Sequence, residues 1–240
     1  LKEYYDILGI SGSTTKAGFD SKIAATVAML NKAAALAISQ PVLTQGSLTI
    51  PVTITNLTGH KLPTSYPSRR MWLHVIVKDG KGSVIFESGQ VDPKGRIALD
   101  DQFGASECLA IHKDHSSSFD YSRCYEPHRD VINHPSQVAI YEPVLGDENN
   151  DITHVLLHAR RYLKDNRIPP KGYLRSELPA NPAEPDQRDA DIIGVDVTKD
   201  VNFASGFDSL GSDGKDTVTY LVNTNGKSAP FIIQAELLYQ

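Results

Sequence analysis

Two kinds of hydrophobic periodicity divide this chain. In residues 20–39 apolar side chains fall at Ile23, Val27, Leu30, Ala34 and Ala37/Ile38, the 4-3-4-3 spacing that lines one face of a helix. Asp20 or Ser21 stands where a cap belongs, and the many alanines leave a slim surface suited to packing on a sheet. From Pro41 onward the period shortens to two. Runs at 47–55, 71–78, 83–88, 137–145, 152–158, 215–223 and 229–239 are rich in Val, Ile, Thr, Phe and Tyr. Turn pairs such as Asp79-Gly80, Lys81-Gly82, Asp213-Gly214 and Asn225-Gly226 bound them. In 71–77, Met71, Leu73, Val75 and Val77 share one face and Trp72, His74 and Ile76 the other, the pattern of a strand covered on both sides.

Seven such runs without helical periods between them predict an all-β fold. The expectation is an antiparallel β-sandwich, immunoglobulin-like or jelly-roll-like, with one N-terminal α-helix. Residues 1–40 then form an N-terminal irregular segment and helix, and residues 41–240 the sandwich domain. Two long polar segments, 89–136 and 164–212, interrupt the strands as loop insertions. Connections of this length are usually functional loops or covers over a sheet edge.

Composition narrows the function more than the fold. The 240 residues are 40% hydrophobic and 22% charged, with a net charge of -5 and a pI near 5.9. That balance argues against a nucleic-acid or anionic-membrane surface, which needs a basic patch. The longest apolar stretch, in 23–38, is broken by Asn31 and Lys32, so no membrane insertion is expected. The chain opens on Leu1 without a recognisable leader and reads as a mature or excised fragment. Cys108 and Cys124 are the two cysteines. In an oxidising compartment they are a disulfide candidate worth roughly 3 kcal/mol by loop closure; free thiols and soft metal ligands are the alternatives.

Candidate chemistry gathers at four places. His60 sits in a loop stiffened by Gly59 and Pro63, either as a metal or haem-iron ligand or as an imidazole satisfied by backbone carbonyls. Arg69 and Arg70 open the next strand on alternate faces; one is expected to pair with a carboxylate inside the fold, the other to face a propionate, a phosphate or a partner. His112, His115, His128 and His134 share one segment with Asp114, Asp120, Glu126 and Asp130, donors a zinc ion accepts, although their spacing matches no compact zinc signature. Asp147, Asn149 and Asp151 place oxygen donors at alternate positions like the start of a calcium loop, but the Gly and distal Glu of that loop are missing, which favours a solvated turn. His154 and His158, four apart, lack the Glu of a zinc-protease helix. Neither a nucleophile elbow, a phosphate loop nor a dinucleotide fingerprint is present, so no reaction is specified.

The order of motifs carries a resemblance. TITNLTGHKLPT at 53–64 and PSRRMWLHV at 67–75 are followed by DVIN at 130–133, QVAIYE at 137–142, Gly146-Asp147 and ARRYLKDNRIPPKG at 159–172. DTVTY at 216–220 and ELLYQ at 236–240 close the series. Together they resemble the haem-free β domain that follows the haem-binding region in certain bacterial multihaem c-type cytochromes. Two departures stand out: Ser65 follows Pro63-Thr64 where the family has Gly, and no Cys-x-x-Cys-His is present, so this chain binds no haem covalently. The resemblance implies an exported, periplasmic or cell-surface protein with haem c on an adjoining domain. Its function there would be non-catalytic: packing against haem domains of the same protein, or docking a cytochrome partner, during electron transfer. His60 is then the first candidate for an iron ligand or propionate contact, with Arg69 and Arg70 beside it. A stand-alone adhesion or carbohydrate-binding β-sandwich is the alternative, and a metal-dependent enzyme with zinc in the histidine-rich loop a third. An apolar patch near the N-terminal helix favours the first reading, and a polar groove lined with aromatics the second.

Overall fold

The computed structural model describes residues 16–64, 66–93, 97, 125–149, 151–174, 197, 200–206 and 210–240. Cys108, Cys124, His112 and His115 lie outside the described residues, as does most of both expected loop insertions. Within them the chain is an all-β sandwich preceded by one helix, α1 (Lys16–Leu30).

The first sheet is built on β3 (Ser47–Asn56), whose side chains alternate strictly between half-buried and buried. Leu48, Ile50, Val52 and Ile54 point inward, as period-two patterning requires. β10 (Lys215–Asn223) pairs antiparallel along one edge of β3. On the opposite edge β1 (Ala34–Ile38) and β2 (Val42–Thr44) lie end to end, β1 against Val52–Asn56 and β2 against Ser47–Thr49. The β2–β3 hairpin turns on Gln45 and Gly46, both at positive φ (49° and 81°), the conformation a two-residue hairpin loop demands. Short β6 (Val131–Ile132) adds to β10 in parallel.

The second sheet is built on β4 (Met71–Lys78). β11 (Ile232–Tyr239) pairs antiparallel along its whole length, while β5 (Val84–Ser88) and β7 (Ile140–Tyr141) share the strand with it at its two ends. A separate ribbon joins β8 (Pro143–Gly146) to β9 (Arg161–Asp165). Between the sheets Ile50, Val52, Ile54, Val218, Tyr220 and Val222 meet Met71, Leu73, Val75, Val77 and Phe86 in one core. The second face of β4 is covered at Trp72, which packs with Val138 and Ile140; His74 and Ile76 are only half-buried.

Two expectations fail. The helix does not run through 20–39 and does not cover a sheet. It ends at Leu30, and Ala34–Ile38 leaves it to pair with β3, so the sheet begins ahead of Pro41. Asp20 and Ser21 lie inside the helix rather than at its cap, and every residue from Asp20 to Met29 is exposed. The apparent stripe was made half of helix and half of strand, because Ala, Leu and Ile serve both when a facing strand is available. Residues 152–158 also form no strand: Leu156–His158 is a 3-10 turn with no buried residue.

Candidate functional site

The loop after β3 is fixed by one side chain. Asn56, 4% exposed, donates from Nδ2 to the carbonyls of His60 (2.8 Å) and Ile168 (2.9 Å). Its Oδ1 accepts from Thr58 N (2.8 Å) and Thr58 Oγ1 (2.7 Å). Leu62 and Ile168 exchange both backbone bonds at 2.9 Å, and Lys61 Nζ reaches Asp165 at 2.7 Å. The segments GHKLP and KDNRI, remote in sequence, are therefore one structural unit.

This unit holds His60 on the surface with its ring anchored on one side. Nδ1 lies 3.0 Å from the Lys61 carbonyl and 3.2 Å from Thr58 Oγ1. An Nδ1–H donated to that carbonyl leaves the Nε2 lone pair outward, the arrangement in which imidazoles serve metals. Among the described residues nothing bonds Nε2. The ring borders a groove of about 700 Å3, lined by Val27, Met29 and Leu30 of α1, Leu62 of the loop, Met71 of β4, and Leu237 to Tyr239 of β11. Apolar side chains dominate it, and Val27 and Met29 remain 50% and 63% exposed.

Arg69 and Arg70 are not beside His60 but border a second, smaller groove of about 450 Å3 with Tyr66, Glu142, His154 and Gln240. Nor does either arginine pair with a carboxylate among the described residues. Arg70 Nε and Nη2 both donate to Gln240 Oε1 (3.0 and 2.9 Å), because these residues extend the β4–β11 ladder by one position. Arg69 is exposed and unpaired among the described residues. Tyr66 is this groove's sole aromatic ring apart from His154 among the described residues. Trp72 offers no stacking platform, since it is buried and its Nε1 donates to the Gly89 carbonyl at 3.0 Å.

The histidine-rich segment separates. His134 is exposed in a turn, with Nδ1 2.7 Å from Ser136 Oγ, whereas the His128 side chain is buried beside Tyr141 and Phe203 with Nε2 2.9 Å from Asp200 Oδ2. Asp216, at the start of β10, is fully buried and accepts from the Tyr141 hydroxyl at 2.5 Å. Burial pushes the Asp216 carboxyl up to about 6, against the lowering effects of His128 and of the Tyr141 hydrogen bond. The Tyr141 phenol is pushed well up by its burial and then by Asp216, and Tyr220 is raised by burial alone. Glu126, which holds Arg129 at 2.6 Å, is also raised by burial. Asp147 Oδ1 accepts from the amides of Asn149 (2.8 Å) and Asp151 (2.9 Å), so this carboxylate closes its own turn. His154 and His158 are both exposed around the 3-10 turn and share no regular face.

Sequence reasoning missed Asp200 and Asp216 as companions of His128. The available signal was that Asp216 shares the inward face of β10 with Val218, Tyr220 and Val222, where a carboxylate is costly unless it has partners.

No protein-family model matches the chain, and no curated protein matches it. Among solved structures it is similar to a penta-haem cytochrome c552 from Thermochromatium tepidum, at 15% identity and a TM-score of 0.44. The match covers 88% of this chain and 33% of that one, so the chain spans about a third of that cytochrome's length.

Proposed function

We propose that this chain is a non-catalytic accessory domain of an exported multihaem c-type cytochrome, working in the periplasm or at the cell surface. Its apolar groove packs against a haem-bearing domain of the same protein or of a cytochrome partner. Beside the order of sequence motifs, one observation carries the reading: the groove is apolar, adjoins the N-terminal helix and presents His60 with Nδ1 tied to a backbone carbonyl and Nε2 open. A haem bound there supplies the redox centre. The chain supplies an imidazole for its iron, an apolar wall that keeps water from the porphyrin edge, and a rigid loop that sets the ring's position. A carbohydrate-binding surface finds less support, since Tyr66 is the polar groove's single aromatic ring besides His154 among the described residues.

The test has two parts. The native polypeptide should be isolated with haem-bearing sequence attached or associated, visible as a Soret band and in the intact mass. The 240-residue chain, free of haem, should then be titrated with a haem c peptide carrying one open axial position. The expected result is conversion of the iron to a low-spin spectrum, abolished in His60→Ala. A native protein free of haem, with no haem-protein neighbour, would sink the reading. A spectrum unchanged by the wild-type chain would remove His60 as a ligand.

A further inference from the structure

We propose that His128, Asp200 and Asp216 form a buried divalent-metal site, separate from the His60 groove and independent of the cytochrome reading, with zinc as its ion. One donor atom from each residue lies within 4.8 Å of both others. The three come from the segment before β6, from the 200–206 loop and from β10, so the ion would join parts of the chain that are remote in sequence.

An acidic cluster alone would mean little, but here a carboxylate oxygen is stranded. Asp216 is 0% exposed, its Oδ2 takes the Tyr141 hydroxyl, and Oδ1 has no hydrogen-bond partner while shut off from water. A buried oxygen of this kind normally finds a partner or a cation. Asp200 is arranged differently: Oδ1 accepts the Asn202 amide at 2.9 Å, which leaves Oδ2 on the His128 side.

The geometry needs little adjustment. Zinc bonds N and O donors at about 2.0–2.1 Å, which sets tetrahedral neighbours about 3.3 Å apart. The 2.9 Å contact between His128 Nε2 and Asp200 Oδ2 opens slightly and the longer separations close. One imidazole with two carboxylates suits zinc; an all-oxygen shell would be needed for magnesium or calcium. The fourth position falls to water.

Surrounding groups specify the protonation change. Asn166 Oδ1 accepts the Glu142 amide (2.9 Å) and Nδ2 donates to the Ile140 carbonyl (2.8 Å), which fixes the amide's orientation. Its remaining N–H faces His128 Nδ1 at 3.3 Å, so the metal-free ring carries its proton on Nε2, toward Asp200. Binding frees Nε2 for the ion and places the ring proton on Nδ1, facing the Asn166 N–H, so the ring or the amide must shift to separate two donors. Tyr141 and Asn166 are positioning residues in this scheme.

The experiment uses the tag-free full chain, stripped with EDTA, exchanged into buffer at pH 7.5 and given zinc chloride. The expected result is one zinc per chain retained through desalting, together with a higher Tm. Asp216→Asn keeps an oxygen for the Tyr141 hydroxyl and so preserves the fold; its zinc affinity should fall by more than the 10–100-fold typical of outer partners. Asp200→Asn should do the same, while His134→Ala should bind like the wild type. A folded wild-type chain that retains no zinc overturns the proposal. So does retention that neither aspartate substitution weakens, which would put the ion elsewhere.

Discussion

Lys61 Nζ sits 2.7 Å from Asp165 Oδ2, and Arg167 Nη2 approaches the same oxygen at 2.7 Å. One buried carboxylate thus serves two cations, one from the His60 loop and one beyond β9. Burial lowers the Lys61 ammonium, opposed by Asp165 and assisted by the neighbouring charge of Arg167. Because the folded value lies below the ordinary 10.5, the unfolded chain binds more protons between the two values, and folding stability rises with pH across that window. Lys61→Met removes this dependence. The wild type should therefore gain stability relative to Lys61→Met as pH rises toward 10.5, read from urea midpoints of both proteins at successive pH values. A constant difference would mean that the Asp165 pairing fully offsets the burial of Lys61.

Asn56 makes four side-chain bonds that hold the His60 loop to residue 168. Asn56→Ala should cost about 1–3 kcal/mol, since Ile168 O and His60 O each keep another donor while Thr58 N loses its acceptor. The more specific outcome is dynamic. Amide exchange at residues 57–62 should accelerate while exchange in β10 and β4 stays near that of the wild type, apart from the global loss.

Gly89 stands at φ +80°, where a Cβ would lie 2.1 Å from the Leu73 carbonyl oxygen. That obstacle is the backbone of β4, which cannot rotate away. Gly89→Ala should therefore destabilise by about 2–5 kcal/mol from the left-handed strain and overpacking combined. A drop in Tm should show it, along with a change in Trp72 fluorescence, since the indole donates to the Gly89 carbonyl.

β3 and β10 were legible because strict period-two alternation admits one burial solution, and β4 because its apolar run is bounded by turn residues. β3, β4 and β10 fall within a residue of the expected runs. β1 was not legible: its alanines and aliphatics fit the helical spacing as well as the ladder, and only the free edge of β3 decides between them. The loop at His60 was recognisable as unusual. Its separation from Arg69 and Arg70 was not, because that depends on Gln240 arriving from the far end of the chain to occupy Arg70. Likewise, His128 could be grouped by sequence only with its neighbours, whereas Asp200 is 72 positions away and the two meet only in the fold.

The pairing of β4 with β11 sets a timetable for the chain's birth. Lys78, at the end of β4, waits for Ile232, more than 150 residues later. At ordinary ribosomal speeds of about 5–20 residues per second that delay is roughly 8–30 s. Throughout it the strand carrying Trp72 and Leu73 has one edge unsatisfied, the condition under which nascent chains aggregate or recruit holding factors. The second sheet, and the groove wall formed by Leu237 to Tyr239, can close only once residues 232–239 have been delivered.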